Sequence, residues 1–212
     1  MIRKINRLEC IKHYPKIPLR NFNETEEEYE FYFAEVLTGY VLTLPSKSFK
    51  GHIKLLGEEL TSLINKSGFD KLIFLGDLDI AWLHRVNYFK QLPDDRHATE
   101  GFQYLRDNKI GKRFNGALEV DAGQLGGFIK HLAWLVRTNG ILSYVHFIDP
   151  GQNFIGDICQ YGNLHVYTFN EKADKQLKEI IEGSKFDYVK DLSCYNKFSK
   201  TGAIKERRMT YR

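Results

Sequence analysis

Four carboxylates at the ends of apolar segments are the first residues of this sequence whose spacing suggests chemistry. Asp77 and Asp79 follow the apolar run Lys71–Leu75, and Glu119 and Asp121 stand where a strand pattern meets a helix pattern. Strand ends fix carboxylates in place, and such oxygen ligands bind divalent cations. A metal-dependent hydrolase or nuclease is therefore predicted if both pairs share one cation. We favour the structural interpretation, in which Asp77 and Asp79 begin a turn and Asp121 caps a helix.

Two short segments resemble known hydrolases. The segment Leu75–Asp79 resembles the Gly-Asp element of calcineurin-like metallophosphoesterases, and Gly162–His165 resembles their Gly-Asn-His element. The resemblance implies a phosphoesterase, but no Asp-x-His motif precedes the first segment, and an extra residue separates Asn163 from His165. The Asp-x-Asp of residues 77–79 also resembles haloacid dehalogenase enzymes, without their later Thr, Lys and Asp-Asp series. Neither resemblance places the chain in a family.

Two histidines, one aspartate and one cysteine fall in a segment with the pattern of three antiparallel strands. His146, Asp157 and His165 occupy successive strands, and Cys159 alternates onto the face of Asp157. If these side chains converged, they would form a Zn²⁺ site, a general-base site or an activated thiol. The sequence leaves their convergence open. We favour an exposed polar face with Cys159 as a small structural residue, and we expect no metal and no cofactor.

The segment from Phe114 to Ile181 predicts the order strand, helix, three strands, helix. Tight turns at Pro150-Gly151 and Gly162-Asn163 separate strands predicted at 141–148, 154–160 and 163–169, so these strands form an antiparallel meander. Asn170 then caps the final helix. We therefore predict an α/β (or α+β) fold with a central mixed sheet, a C-terminal antiparallel β-meander and flanking helices.

The rest of the chain gives weaker patterns. A strand is predicted at Tyr40–Leu44, a helix from Ser46 or Ser48 to about Asn65, and a helix near 95–107. Residues 24–38 fit either a helix that begins with acidic residues or a strand. Residues 1–23, interrupted by two prolines, predict an irregular arm with at most one short edge strand. We expect one domain over 1–212, extended by this arm and by a basic tail at 197–212.

The charge is unevenly distributed along the chain. Residues 197–212 carry six of the 31 basic residues and one of the 27 acidic ones, so the remainder is close to neutral. Acidic residues concentrate near the other end, at Glu24, Glu26, Glu27, Glu28 and Glu30. No segment is apolar enough to span a membrane, and the first residues lack the apolar run of a signal peptide. We therefore expect a cytoplasmic protein, with no membrane association, whose three cysteines are reduced.

Because no catalytic motif is complete, we expect a soluble, non-catalytic interaction protein that binds another protein. Aromatic residues with the character of interface residues follow Asp77 and Asp79 along the chain. The predicted partner-binding residues are Asp77, Asp79, Trp82, His84, Tyr88 and Phe89. A bacterial immunity protein or antitoxin, which neutralises a toxin, is one class of this kind. The alternatives are the metal-dependent hydrolase or nuclease, and nucleic-acid binding through the basic tail.

Overall fold

The computed structural model describes residues 1–84, 86, 96–138 and 144–205. Within these residues the chain forms ten β-strands and five α-helices. The strands are β1 (Ile2–Ile5), β2 (Leu19–Asn23), β3 (Glu28–Tyr32), β4 (Thr38–Thr43), β5 (Lys71–Gly76), β6 (Ala117–Asp121), β7 (Val145–Ile148), β8 (Phe154–Ile158), β9 (Leu164–Thr168) and β10 (Asp187–Tyr188). The helices are α1 (Arg7–His13), α2 (Phe49–Lys66), α3 (Arg96–Asp107), α4 (Ala122–Thr138) and α5 (Glu171–Glu182).

Eight of the strands form one sheet in the order β1-β6-β5-β7-β8-β9-β4-β10, and β2 pairs with β3 in a separate hairpin. The predicted mixed α/β fold and the C-terminal meander of β7, β8 and β9 are confirmed. All strand pairings in the described residues are antiparallel, where the sequence analysis expected a mixed sheet.

The helices α2, α3, α4 and α5 cover the face of the large sheet on which the main core is built. Apolar residues that alternate along the strands, among them Phe74, Phe147 and Leu164, meet the apolar stripes of the helices there. Ser48 caps α2 by accepting a hydrogen bond from the Gly51 amide at 3.2 Å. Asn170 caps α5 in the same way through Ala173, as predicted.

The opposite face of the sheet is covered by the N-terminal segment. Where an irregular arm was expected, the structure has β1, α1 and β2. The side chain of Asn6 caps α1, and Cys10 on that helix packs with Tyr14 and Ile17 against strand residues such as Ile73. The two prolines follow α1, so they end the helix without preventing it.

Residues 24–38 adopt the strand alternative. Their central part is β3, whose partner β2 is also an extended segment. Alternating aromatic side chains and the propensity of Tyr and Phe for strands outweigh the acidic residues that favoured a helix start.

No helix in the described residues is long and apolar enough to cross a membrane.

Candidate functional site

Two of the predicted partner-binding residues are buried. Asp77 is 0% exposed and its carboxylate pairs with the guanidinium of Arg20. Trp82 is 4% exposed, and its indole N–H donates to the carbonyl of Gly116 at 2.8 Å. The expectation that these side chains face a partner is therefore wrong. Asp77 follows directly on the buried strand β5, and the Trp82 ring is drawn into the core against Phe128.

The other predicted partner-binding residues have different positions. Asp79 is exposed; it accepts a hydrogen bond from Asn115 and lies 3.9 Å from the guanidinium of Arg7. His84 is partly buried, and Tyr88 and Phe89 lie outside the described residues. A role for these residues in partner binding stays a prediction.

The two carboxylate pairs do not meet. Strand pairing places Asp121 of β6 opposite Lys71 of β5. Asp77 lies six positions after Lys71, just beyond the end of β5. At about 3.4 Å per residue, this offset amounts to roughly 20 Å. Glu119 is instead bound by Arg3 at 2.8 Å and approached by Lys71 at 3.4 Å. The carboxylates required for the alternative hydrolase function therefore occupy separate ion pairs.

Sulfur and nitrogen ligands do converge, on the sheet face opposite the main core. Pairing aligns His146 with Asp157 and Asp157 with His165, so these side chains form a row across β7, β8 and β9. Cys159 follows β8 on the same face. A residue that the sequence analysis did not connect with them, Cys194, completes the group. We call Cys159, His165 and Cys194 the thiol–imidazole cluster.

Cys194 reaches the cluster because the C-terminal segment folds back over the sheet. The ammonium of Lys197 donates to the side chain of Thr43 and to the carbonyl of Leu44. The ring of Phe198 packs edge-on against Phe49, with centroids 5.7 Å apart. This part of the predicted basic tail is thus fixed to the body of the protein, and residues 206–212 lie outside the described residues.

The distances within the cluster are short. The sulfur atoms of Cys159 and Cys194 are 3.8 Å apart, and Nε2 of His165 lies 3.1 Å from the sulfur of Cys194. The amide Nδ2 of Asn163 donates to the same sulfur at 3.3 Å. Three hydrogen-bonding groups therefore surround Cys194, which is itself only partly buried.

These contacts shift the pKa values of the two cysteines in opposite directions. The hydrogen bond from the Cys159 thiol, with those from His165 and Asn163, lowers the pKa of Cys194. The pKa of Cys159 is raised, because its proton is held against the Cys194 sulfur and the side chain is buried. Burial alone would lower the pKa of His165, but its contact with Cys194 and the charge of Asp157 raise it overall. Both shifts favour a thiolate at Cys194 and an imidazolium at His165.

The rest of the row is more deeply buried. Burial raises the pKa of Asp157 to about 6 and lowers the pKa of His146 to about 3. Both ring nitrogens of His146 lack a hydrogen-bond partner among the described residues. Its Nδ1 lies 3.9 Å from Asp157, but the lowered pKa makes this a contact of a neutral ring and not an ion pair. Asp157 thus adjoins His146 on one side and His165 on the other.

Such a cluster has the groups for thiolate chemistry or for metal binding. A thiolate with a lowered pKa is a nucleophile, and two sulfurs with one imidazole nitrogen are a zinc-type ligand set. The three ligand atoms lie within 4.8 Å of one another. Cys159 and His165 are candidates from the sequence alone, but Cys194 is not, because only folding brings it beside the residues of the meander.

A second candidate surface is the hairpin of β2 and β3. On one face, Phe22, Tyr29 and Phe31 are 53%, 52% and 53% exposed. Phe22 and Tyr29 are paired across the strands, with ring centroids 5.2 Å apart. Glu24, Glu26 and Glu27 lie in the connecting turn, whereas Glu28 and Glu30 alternate onto the opposite face of β3; all five are exposed. We call residues 19–32 the acidic aromatic hairpin.

The hairpin is anchored to the sheet beside the thiol–imidazole cluster. Arg20 pairs with the buried carboxylate of Asp77, and its amide donates to the Asp77 carbonyl at 2.9 Å. Beyond β3, the ring of Phe33 packs edge-on against Tyr167 of β9, with centroids 5.2 Å apart. Asp77 therefore positions the hairpin instead of contacting a partner.

Comparisons of the chain with known protein families, with curated proteins and with solved structures give no match.

Proposed function

We propose that this protein is a non-catalytic interaction protein that binds a protein partner through the acidic aromatic hairpin. The observation that carries the proposal is the exposure of Phe22, Tyr29 and Phe31, each about half exposed on one hairpin face. Contiguous exposed aromatic side chains are unfavourable in water and mark interaction surfaces. Aromatic residues also supply much of the binding free energy at protein interfaces.

The charge of the hairpin favours a basic partner. Residues 19–32 contain five glutamates and a single basic residue, Arg20, which is already paired with Asp77. An acidic rim accelerates association with a positively charged surface and disfavours nucleic acid. Outside residues 19–32 the chain carries 30 basic and 22 acidic residues, so the acidic surface is local to the hairpin.

The anchoring of the hairpin supports the same proposal. A surface held by an ion pair to Asp77 and by packing of Phe33 on Tyr167 loses little conformational entropy when a partner binds. Within this class we propose a toxin-neutralising role of the immunity-protein type in the bacterial cytoplasm, since an acidic surface suits neutralisation of a basic toxin.

The proposal is tested by affinity capture from cells that produce the protein, with nuclease treatment. The test variant carries Phe22→Ser, Tyr29→Ser and Phe31→Ser, and the control carries Tyr195→Ser, which removes an aromatic ring that is 66% exposed elsewhere. We expect one stoichiometric protein to be retained by the wild type and by the control, and lost with the triple variant. Capture that is unchanged in the triple variant, or abolished by nuclease, would refute the hairpin as the binding surface.

A charge variant separates the acidic rim from the aromatic residues. We expect Glu26→Lys with Glu28→Lys to slow association with the captured partner and to weaken its salt dependence, because long-range attraction is screened by ions. Unchanged association rates at low salt would show that the partner is not recognised by its positive charge.

A further inference from the structure

The thiol–imidazole cluster has the dimensions of a tetrahedral zinc site. With Zn–S near 2.3 Å and Zn–N near 2.0–2.1 Å, tetrahedral angles place two sulfurs about 3.8 Å apart and sulfur and nitrogen about 3.6 Å apart. The sulfurs of Cys159 and Cys194 are 3.8 Å apart, and the His165 nitrogen is 3.1 Å from Cys194. The three ligand atoms all lie within 4.8 Å of one another, so side-chain movements of about 1 Å complete the geometry.

Two of the ligands are held by a rigid turn. Cys159 and His165 flank the connection between β8 and β9, where the Cys159 amide donates to the Asn163 carbonyl at 3.0 Å. Gly162 adopts a φ of +84°, a conformation that side-chain-bearing residues avoid. The third ligand, Cys194, lies three residues before Lys197, which anchors the C-terminal segment. The spacing of the ligand atoms is therefore set by the fold.

The surroundings also fit a metal ligand set. Asp157 is the direct strand partner of His165 and its charge acts on that ring, so an acidic group lies beside the histidine, as is common at metal sites. Asn163 donates to the Cys194 sulfur, as groups around a zinc thiolate commonly do. Cys194 is only partly buried, so water can reach the cluster from its side.

We propose that Cys159, His165 and Cys194 form a Zn²⁺-binding site, with a water molecule as the fourth ligand. Two thiolates and one imidazole form a ligand set typical of Zn²⁺, whereas Mg²⁺ and Ca²⁺ require oxygen ligands. Three protein ligands plus water also match the tetrahedral coordination that this ion prefers.

Zn²⁺ binding to the cluster changes no oxidation state and releases only protons. The metal takes both sulfurs as thiolates and the His165 ring as a neutral imidazole, so the Cys159 thiol proton and the imidazolium proton pass to solvent. A disulfide between the same two cysteines would remove both sulfur ligands, so binding requires the reduced protein.

The test is a titration of the full-length, reduced protein with Zn²⁺ in competition with a chelator, and with Co²⁺ followed by its thiolate charge-transfer absorption. We expect one equivalent of metal and a clear thiolate band. Cys194→Ser and His165→Ala should each weaken Zn²⁺ binding by more than ~100-fold, and Asp157→Asn by ~10–100-fold, the range for groups that orient a ligand.

Cys10→Ala is the matched control, because it removes a buried cysteine of α1 that packs against the sheet, outside the cluster. It should keep the wild-type affinity and the Co²⁺ absorption. Far-UV circular dichroism establishes that each variant is folded, and Cys194→Ser changes a partly exposed position. Absence of stoichiometric binding, or equal affinity in Cys10→Ala and Cys194→Ser, would overturn the proposal.

Discussion

Cys194 is a residue whose chemistry is created by its neighbours. Its own sequence context, Leu192-Ser193-Cys194-Tyr195, contains no histidine and no basic residue. In the fold, His165, Asn163 and Cys159 surround its sulfur and stabilise the thiolate. The two other cysteines have the opposite environment, since burial raises the pKa of Cys10 to about 12 and the pKa of Cys159 is also raised.

We predict that Cys194 is the first cysteine to react with iodoacetamide in the reduced, metal-free protein. Because it is a thiolate already, its rate should be nearly constant from pH 6 to pH 9, whereas an ordinary thiol with a pKa near 8.5 reacts about tenfold faster per pH unit below that value. Peptide mass spectrometry after timed quenching gives the rate at each cysteine. His165→Ala should restore a pH-dependent rate; equal labelling of the three cysteines would contradict the prediction.

At the scale of elements, the backbones of α2 and α4 come close together at two glycines, Gly57 and Gly126. A Cβ atom added to Gly57 would lie 2.9 Å from the Cα of Gly126 and 3.0 Å from its carbonyl oxygen. Both contacts are to backbone, which cannot rotate away as a side chain can. A Cβ added to Gly126 would meet nothing within 4 Å, so the two positions differ although the residues touch.

We predict opposite effects of alanine at these two positions. Gly57→Ala should push the helices apart and lower the free energy of unfolding by about 1–3 kcal/mol, the usual cost of overpacking. Gly126→Ala should leave stability unchanged or raise it by up to about 1 kcal/mol, because alanine favours the helix. Urea unfolding followed by circular dichroism measures both. An equal loss of stability in Gly126→Ala and Gly57→Ala would contradict the prediction that only position 57 lacks room for a Cβ atom.

Elements with strong local signals were predicted correctly. Capping side chains predicted where two helices begin: Ser48 was one of two candidate caps for α2, and Asn170 was the predicted cap of α5. Two tight turns predicted the meander, so each of these features depends only on neighbouring residues. The helix α1 was missed because two prolines suggested irregular structure, while Asn6 and the contacts of Cys10 with Ile73 stabilise a short helix before them.

At the scale of the whole molecule, the antiparallel sheet places two buried titratable groups side by side. The pKa of His146 is about 3 in the folded protein against an ordinary 6.5, and that of Asp157 is about 6 against an ordinary 3.8. Between about pH 4 and pH 6 the unfolded chain holds a proton on His146, whereas the folded protein holds one on Asp157. Their effects on the pH dependence of stability therefore oppose each other.

We predict that His146→Phe removes this compensation. Only Asp157 then contributes, and because the folded state binds more protons, stability should fall as the pH rises from 4 to 6, by about 1.4 kcal/mol per pH unit relative to the wild type. Within the part of the chain that the structure describes, neither ring nitrogen of His146 has a hydrogen-bond partner, so phenylalanine loses no hydrogen bond there. Urea unfolding at pH 4, 5 and 6 measures the slope, with the exposed His13→Gln as control. An unchanged slope would contradict the prediction.

The sequence by itself determined the fold class, the main helices and strands, and the alternation that puts Asp157 and Cys159 on one sheet face. These features depend on residues that are close along the chain, whose spacing directly sets the face on which they lie. It also identified acidic residues at 24–30 and aromatic residues among them, but left helix and strand open there.

Only the tertiary structure decided which groups meet. It separated the carboxylates of Asp77 and Glu119, because antiparallel pairing places Glu119 opposite Ile73, four positions before Asp77. It buried Trp82, and it brought Cys194 to a cysteine 35 residues away. Such contacts depend on strand register and on how a segment packs across the sheet, and neither is encoded in the spacing of neighbouring residues.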